Sequence, residues 1–315
     1  MQKKPASRRP DKPPDSVLRL TNGDKIFYPA TGFTKGDVVA YYERIAPVML
    51  PYLSGRPVSL KRMPDGVQDF AFFEKRAPAK LPPWVRTTTV ASATHGMLTY
   101  LVIDNLETLV WLANRAAIEF HTYLFKAGAE QAPTMMVFDL DPGAPAVLRE
   151  CLPLALEIRN LLAELGLRSF VKSSGGKGLH VLVPLAGSAP FSVVKDFVRA
   201  VAGLLETRHP DTVTTSMAKV ARPGKIFIDW SQNDHGKTTV CAYSLRGLAR
   251  PTVSAPLSWA EVEMAQRCGK TSRLVFDADV VLQRVAASGD LLAESLDVRQ
   301  RLPAAQKLRR GGVKV

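Results

Sequence analysis

Two aspartates, Asp139 and Asp141, close the apolar run TMMVFDLDPG with a single leucine between them. Alternate residues of a strand project to one face, so this spacing sets both carboxylates side by side while Leu140 stays with the core. Paired acids repel, and a hard divalent cation, Mn²⁺ or Mg²⁺, relieves the repulsion through oxygen ligands. A third acid, Asp229, ends the apolar run of GKIFIDWSQND. Three strand-end carboxylates holding two cations suit phosphoryl transfer, in which a hydroxyl is activated and a leaving pyrophosphate stabilised. A DxD pair before a Pro-Gly turn is also met as two solvated aspartates, so the pair alone does not decide the chemistry.

The stretch SFVKSSGGKGLHVLVPL supplies what a phosphate needs. Glycines at 175, 176 and 178 permit positive φ and leave backbone N–H groups unshielded, a geometry that forms anion nests, while Ser174 and Lys177 add donors. His180 opens the following strand within reach of a phosphate oxygen or a carboxylate. The spacing is not that of a Walker loop, and a strand rather than a helix follows. An ordinary glycine-rich hairpin has the same composition. Arg246, in YSLRG, fits a bidentate clamp on a triphosphate.

These groups must be positioned by a mixed framework. Helical periodicity marks residues 37–53, 107–117, 145–165 and 192–208. Strand patterns mark 58–63, 70–74, 100–103, 118–124, 135–140, 169–172, 180–184 and 226–230. Strands recur in pairs without regular βαβ alternation, which predicts an α/β (α+β) fold with mixed or antiparallel sheets. Phe72 and Phe73 are neighbours on a strand, so one is expected in the core and the other as a surface for base stacking. Lys61 and Arg62 also alternate, so at most one of them faces backbone phosphates on a given side. His121, in IEFHTY with Glu119 on the same face, is either an active-site group or a satisfied histidine beneath the cleft.

The chain has 315 residues and a formal charge of +13. Residues 1–15 contribute +3 and residues 299–315 contribute +6, leaving about +4 for the body, so basicity is concentrated at the ends. We expect a flexible basic linker at 1–15, one catalytic domain at 16–295 and a basic tail at 296–315; the ends are either solvated linkers or nucleic-acid contacts. Cys151, Cys241 and Cys268 lack paired spacing, which argues against a disulfide framework or zinc site and fits a reducing cytoplasm. No signal peptide is evident. Charges at Asp104, Glu107, Glu157 and Arg159 interrupt the long apolar segments, so no membrane span is expected.

The ordered set VFDLD, SSGGKGLHV and FIDW resembles the archaeo-eukaryotic primase superfamily. The stretch LTNGDKIFYPATGFTKGDVVAYYERIAPVMLPYLSGRPVSLKRMPDG, with FFEK and ANRAAIEFH, is similar to the polymerase domain of the bacterial end-joining ligase D family, over residues 18–281. That resemblance implies a primase-polymerase fold around a central cleft and addition of ribo- or deoxyribonucleotides to 3′ ends with Mn²⁺. It also implies work at double-strand breaks beside Ku and a ligase domain of the same parent chain, close to the nucleoid. By the same resemblance, Asp139, Asp141 and Asp229 are metal ligands, and Ser174, Lys177, His180 and Arg246 meet the incoming triphosphate. Asn22, Lys25 and Lys35 read a 5′-phosphate at the DNA end, and the stacking role of Phe72 or Phe73 rests mainly on the family. Two rivals stay open: a metal-dependent phosphotransferase or phosphatase, and a catalytically idle DNA-end-binding module. VFDLD superficially matches a haloacid-dehalogenase nucleophile strand, although Pro142 and Gly143 follow where that chemistry usually wants a hydroxyl.

Overall fold

The computed structural model describes residues 19–92 and 96–303. The expected linker at 1–15 and the tail end at 304–315 lie outside the described residues. A short hairpin of β1 (Ile26–Tyr28) and β2 (Phe33–Thr34) leads into α1 (Lys35–Leu53). A reciprocal cap starts this helix: the Thr34 hydroxyl accepts the Asp37 N–H, and the Asp37 carboxylate accepts the Thr34 N–H. Val38, Tyr41, Tyr42, Ile45 and Met49 recur at helical spacing and form its buried face.

The first six-stranded sheet comprises β3 (Pro57–Arg62), β4 (Phe72–Glu74), β5 (Arg86–Ser92), β6 (Gly96–Val102), β7 (Ala117–Tyr123) and β13 (Thr238–Val240). Its order is β13-β7-β3-β6-β5, with β4 sharing the edge of β3 that β6 leaves free. Helix α2 (Leu106–Asn114), capped by the Asn105 side chain, packs against α1. The second six-stranded sheet comprises β8 (Met135–Pro142), β9 (Phe170–Ser173), β10 (Leu179–Pro184), β11 (Val213–Thr214), β12 (Ile226–Ile228) and β14 (Pro256–Leu257), ordered β11-β12-β8-β10-β9-β14. Among the described residues every strand pairing is antiparallel except β11 with β12. The mixed, mainly antiparallel architecture expected from the paired strands is the one observed.

Helices α3 (Leu148–Glu164) and α4 (Phe191–Arg208) pack on the second sheet through apolar stripes, so its strands are buried almost throughout. The chain then crosses between the sheets after β13. Cys241 N–H donates to the Phe120 carbonyl of the first sheet, and Ser173 N–H of the second donates to the Ala255 carbonyl. Arg246 lies in this crossing segment. Helices α5 (Trp259–Cys268) and α6 (Ala278–Ser288) complete the fold.

Several expected bounds shift. The strand expected at 226–230 stops at Ile228, because Asp229 caps a short 3₁₀ turn over Trp230–Gln232. The strand expected at 70–74 begins only at Phe72. Gln300 Oε1 accepts from Arg168 N–H, and Gln300 O accepts from Ala186 N–H, so the chain follows the body past residue 296. Among the described residues no helix is long and apolar enough to cross a membrane.

Candidate active site

Four chemical groups lie on one transverse row of the second sheet. Register places His180 of β10 opposite Asp139 of β8 on one side and Lys172 of β9 on the other. Asp229 N–H donates to the Asp139 carbonyl at 2.9 Å and extends the row. Directly opposed residues share a face, so Asp229, Asp139, His180 and Lys172 all project away from Leu140, whose carbonyl meets the Cys151 thiol of α3. Asp141 shares the Asp139 face two residues along the strand.

The charges explain the ionisation of this row. Burial pushes the Asp139 carboxyl upward, but His180, Lys172 and Arg246 outweigh it and hold the group below its ordinary range. His180 Nε2 lies 3.2 Å from Asp139 Oδ1. Burial, followed by the Lys172 charge, pulls His180 down and favours its neutral form. Asp141 is pushed up to about 6 by burial and then by the charges of Asp139 and Asp229, with Lys177 and Arg222 acting against them. Mutual repulsion of three acids is the condition that a divalent cation relieves, and their hard oxygens fit Mn²⁺ or Mg²⁺. The three are neighbours rather than a closed ligand set. Asp229 Oδ1 accepts from Ser231 N–H and its hydroxyl, Oδ2 accepts from Gln232 Nε2, and no group of three His, Cys, Asp or Glu among the described residues is drawn tightly enough to grip an ion.

The glycine-rich turn sits beside these acids. Gly175 has φ 75°, and a Cβ there would lie 2.7 Å from the Val253 carbonyl carbon. A Cβ on Gly178 would come within 2.4 Å of Leu140 O, so glycine lets β10 start against β8. Not all the amides stand open as the sequence suggested. The Ser174 hydroxyl accepts from Gly176 N–H at 3.2 Å and Gly178 N–H at 3.1 Å, and so shapes the turn. Lys177 is exposed at its tip.

The first sheet contributes a second cluster, centred on Glu119, which is 1% exposed. Its carboxylate receives His121 Nε2 at 2.9 Å, Lys61 Nζ at 3.2 Å, Arg246 Nε at 3.1 Å and Gly247 N–H at 3.0 Å. Burial raises this carboxyl, but the His121 hydrogen bond and the Arg246 and Lys61 charges win and hold it well below its usual range. Burial depresses the His121 pKa despite Glu119. Arg246 Nη1 also donates to Ser174 O, so one guanidinium joins Glu119 of the first sheet to the glycine turn of the second.

Phe73, 53% exposed, meets the His121 ring edge-on at 5.4 Å. Lys61 pairs in register with both Phe73 and Glu119, so Lys61 is the member of its pair on the cluster face. Arg62 turns the other way, to Glu74, the Arg115 carbonyl and the Phe72 ring. Neither phenylalanine is core, a correction to the expectation for one of them: β4 is an edge strand, and Phe72 stacks on Phe70 instead.

Asn22, Lys25 and Lys35 meet at the first hairpin. Asn22 has φ 50°, its carbonyl accepts from Lys25 N–H, and Lys35 N–H donates to Lys25 O. Lys35 is buried and bonds to Thr21 Oγ1 at 2.8 Å; burial and then the Lys25 charge lower its pKa. Lys25 Nζ pairs with Asp65.

Sequence reasoning did not assign Glu119, Lys172 or Arg222. Glu119 carried one signal, its alternation with His121, and Lys172 another, a lysine inside the apolar run FVKSS. Nothing in the sequence tied Arg222 to Asp141.

Two mainly antiparallel sheets face each other across a cleft, with three acids and a glycine-rich turn on the second, and this fold is of the primase-polymerase class. The family model described as LigD, primase-polymerase domain, matches residues 34–292. The multifunctional non-homologous end joining DNA repair protein LigD of Mycobacterium tuberculosis is 42% identical over 301 residues, covering 93% of this chain and 38% of its own length. The bifunctional LigD of Bacillus subtilis is 32% identical over 282 residues, 89% of this chain and 44% of its own. A solved structure, the polymerase domain from Mycobacterium tuberculosis ligase D in complex with DNA, superposes with a TM-score of 0.82 at 40% identity, over 90% of this chain and 99% of that one. The chain spans less than half the length of these curated relatives. It belongs to the LigD primase-polymerase domain family.

Proposed function

We propose that this chain is a divalent-cation-dependent nucleotidyltransferase that adds ribo- or deoxyribonucleotides to 3′ ends at DNA double-strand breaks. The reading assigns it templated gap filling and non-templated addition, in cooperation with Ku and a ligase domain of the same parent chain near the nucleoid. The observation that carries the reading is Asp139, Asp141 and Asp229 sharing one sheet face, with Asp141 raised to about 6 by burial and its neighbours. Asp139, Asp141 and Asp229 would hold two Mn²⁺ or Mg²⁺ ions, which supply charge neutralisation for the 3′-hydroxyl and the leaving pyrophosphate.

The chain's own residues do the rest. Arg246, held by Glu119 and Ser174 O, is pre-oriented toward the cleft between the sheets and spends little entropy in meeting a triphosphate. Lys177 adds charge from the turn, and Ser174 fixes the turn's backbone. His180, favoured as the neutral form by burial, braces Asp139 and offers its other nitrogen: Nδ1 is buried without a hydrogen-bond partner. Phe73 and Lys61 offer a stacking edge and a charge to the DNA strand. Asn22, Lys25 and Lys35 receive a downstream 5′-phosphate.

The test offers Mn²⁺ with ribo- and deoxynucleotides, separately, to gapped duplexes with and without a 5′-phosphate. Extension supports the reading. Phosphate release without extension, or end binding without either reaction, contradicts it in favour of a phosphatase or an idle end-binding module.

A further inference from the structure

A cavity of about 230 Å³ opens between the two sheets and is lined by none of Asp139, Asp141, Asp229, Lys177 or Arg246. Among the described residues, four basic side chains line it, Arg56, Lys126, Lys172 and Arg299, and no carboxylate does. Arg56 precedes β3, Lys126 follows β7, Lys172 lies in β9, and exposed Arg299 approaches from the end of the described chain.

Among the described residues these cations have only neutral hydrogen-bond partners. Arg56 donates to the Tyr123 carbonyl at 3.2 Å and Thr134 Oγ1 at 2.8 Å. Lys172, 2% exposed, donates to the Ser254 hydroxyl at 2.6 Å, and Lys126 to the Ser54 carbonyl. Burying a cation is unfavourable, and the charges of Asp139 near Lys172 and Asp104 near Lys126 offset this only in part. Burial accordingly lowers Lys172 to about 7 and Lys126 to about 8. Thr239, 8% exposed, lines the same cavity with its hydroxyl lacking any hydrogen-bond partner. The remaining wall is largely apolar and includes Leu124, Met135, Leu182 and Val240.

We infer that this cavity, which adjoins the catalytic row at Lys172, is a binding site for a small organic anion: a phosphate or carboxylate head on an apolar body. Arg56, Lys126 and Lys172 would hold the head as charge-assisted donors, and Thr239 adds a neutral one. A lone phosphate, roughly the volume of two or three waters at ~30 Å³ each, leaves much of the space empty. An apolar body against Leu124 and Val240 fills the remainder.

Calorimetric titration of the chain in divalent-free buffer tests this, with phenyl phosphate, benzoate and inorganic phosphate as separate probes. At least one organic anion should bind at millimolar concentration or below, the tighter one identifying the head group, and inorganic phosphate should bind roughly tenfold more weakly. Lys126→Met and Lys172→Met should each weaken the organic anion by roughly tenfold, whereas Lys177→Met and Lys25→Ala leave it unchanged. Should Lys172→Met fail to fold, Lys126→Met and Thr239→Val carry the test. No binding of either organic anion by the wild type would overturn the inference. So would inorganic phosphate binding as tightly as the organic anions, or affinity lost in Lys177→Met or Lys25→Ala but kept in Lys126→Met.

Discussion

Arg246 Nε lies 3.1 Å from Glu119 Oε2, so an arginine and a glutamate 127 residues apart in sequence fix each other across the cleft between the sheets. Glu119 also collects His121, Lys61 and the Gly247 N–H. The proposed triphosphate clamp is therefore positioned by a buried carboxylate that touches no substrate in this reading. Its placement determines where Arg246 points and how much freedom that side chain retains.

Glu119→Gln preserves shape but removes the charge, so Arg246 and Lys61 should wander from the cleft. We expect the nucleotide KM to rise by roughly tenfold, with a smaller fall in kcat, since a lost charge-assisted contact is worth about 1.5–3 kcal/mol. Arg246→Ala should raise KM at least as much, and the double variant should add little, because the two act as one unit. Steady-state kinetics of all three variants on one gapped duplex checks this; fully additive effects would show that Glu119 does not act through Arg246.

The hairpin lysines lead to a different expectation. Lys25 pairs with Asp65 at the surface, a contact of little value that a phosphate dianion can displace, whereas Lys35 is buried against Thr21. Combining Lys25→Ala with Lys35→Gln should remove roughly ten- to a hundredfold of the affinity for 5′-phosphorylated gapped DNA. Binding of unphosphorylated duplex should barely change. Fluorescence anisotropy at fixed salt measures both, and an unchanged preference for the phosphorylated end would place the pocket elsewhere.

The two buried lysines set a pH dependence of stability. Their folded pKa values, about 7 for Lys172 and about 8 for Lys126, lie below the ordinary 10.5, so the unfolded chain binds more protons once pH exceeds these values. Their unfavourable contribution is fully present below pH 7 and is relieved progressively as pH rises from the folded values toward 10.5. Each lysine adds a slope of at most about 1.4 kcal/mol per pH unit. Between pH 7 and 8.5 the wild-type Tm should therefore gain relative to that of Lys126→Met/Lys172→Met in a buffer free of phosphate and carboxylate. Parallel Tm curves for the two proteins would contradict the burial of charged lysines.

Much of this architecture was legible in the sequence because it depends on local periodicity. Alternation alone put Asp139 and Asp141 on one face, and burial followed by the field of Asp139 and Asp229 now accounts for the raised Asp141 pKa. The long apolar periods of α1 and α4 likewise located those helices to within a residue or two. What was missed is non-local. The Lys172–His180–Asp139 row exists only through strand register, which no single run encodes. One of Phe72 and Phe73 was expected in the core, yet the edge strand leaves Phe73 exposed and gives Phe72 Phe70 and Arg62 as partners. The place of Ser174 in the turn suggested a donor, but not that its hydroxyl accepts two backbone N–H groups of the same turn. Helices α5 and α6 are short, with buried residues confined to Val262, Ala265, Ala278 and Val281, too few to stand out as a period.

Primer extension with Mn²⁺ on a gapped, 5′-phosphorylated duplex, comparing wild type with Asp139→Ala, Asp141→Ala and Asp229→Ala, is the most direct measurement. The wild type should add nucleotides to the 3′ end. Each variant should fall to background while retaining the wild-type fold by circular dichroism, since removing one of three mutually repelling carboxylates relieves charge rather than opening a cavity. Extension by any of the three at close to the wild-type rate would contradict the assignment of these aspartates, and failure of the wild type to extend would contradict the proposed activity itself.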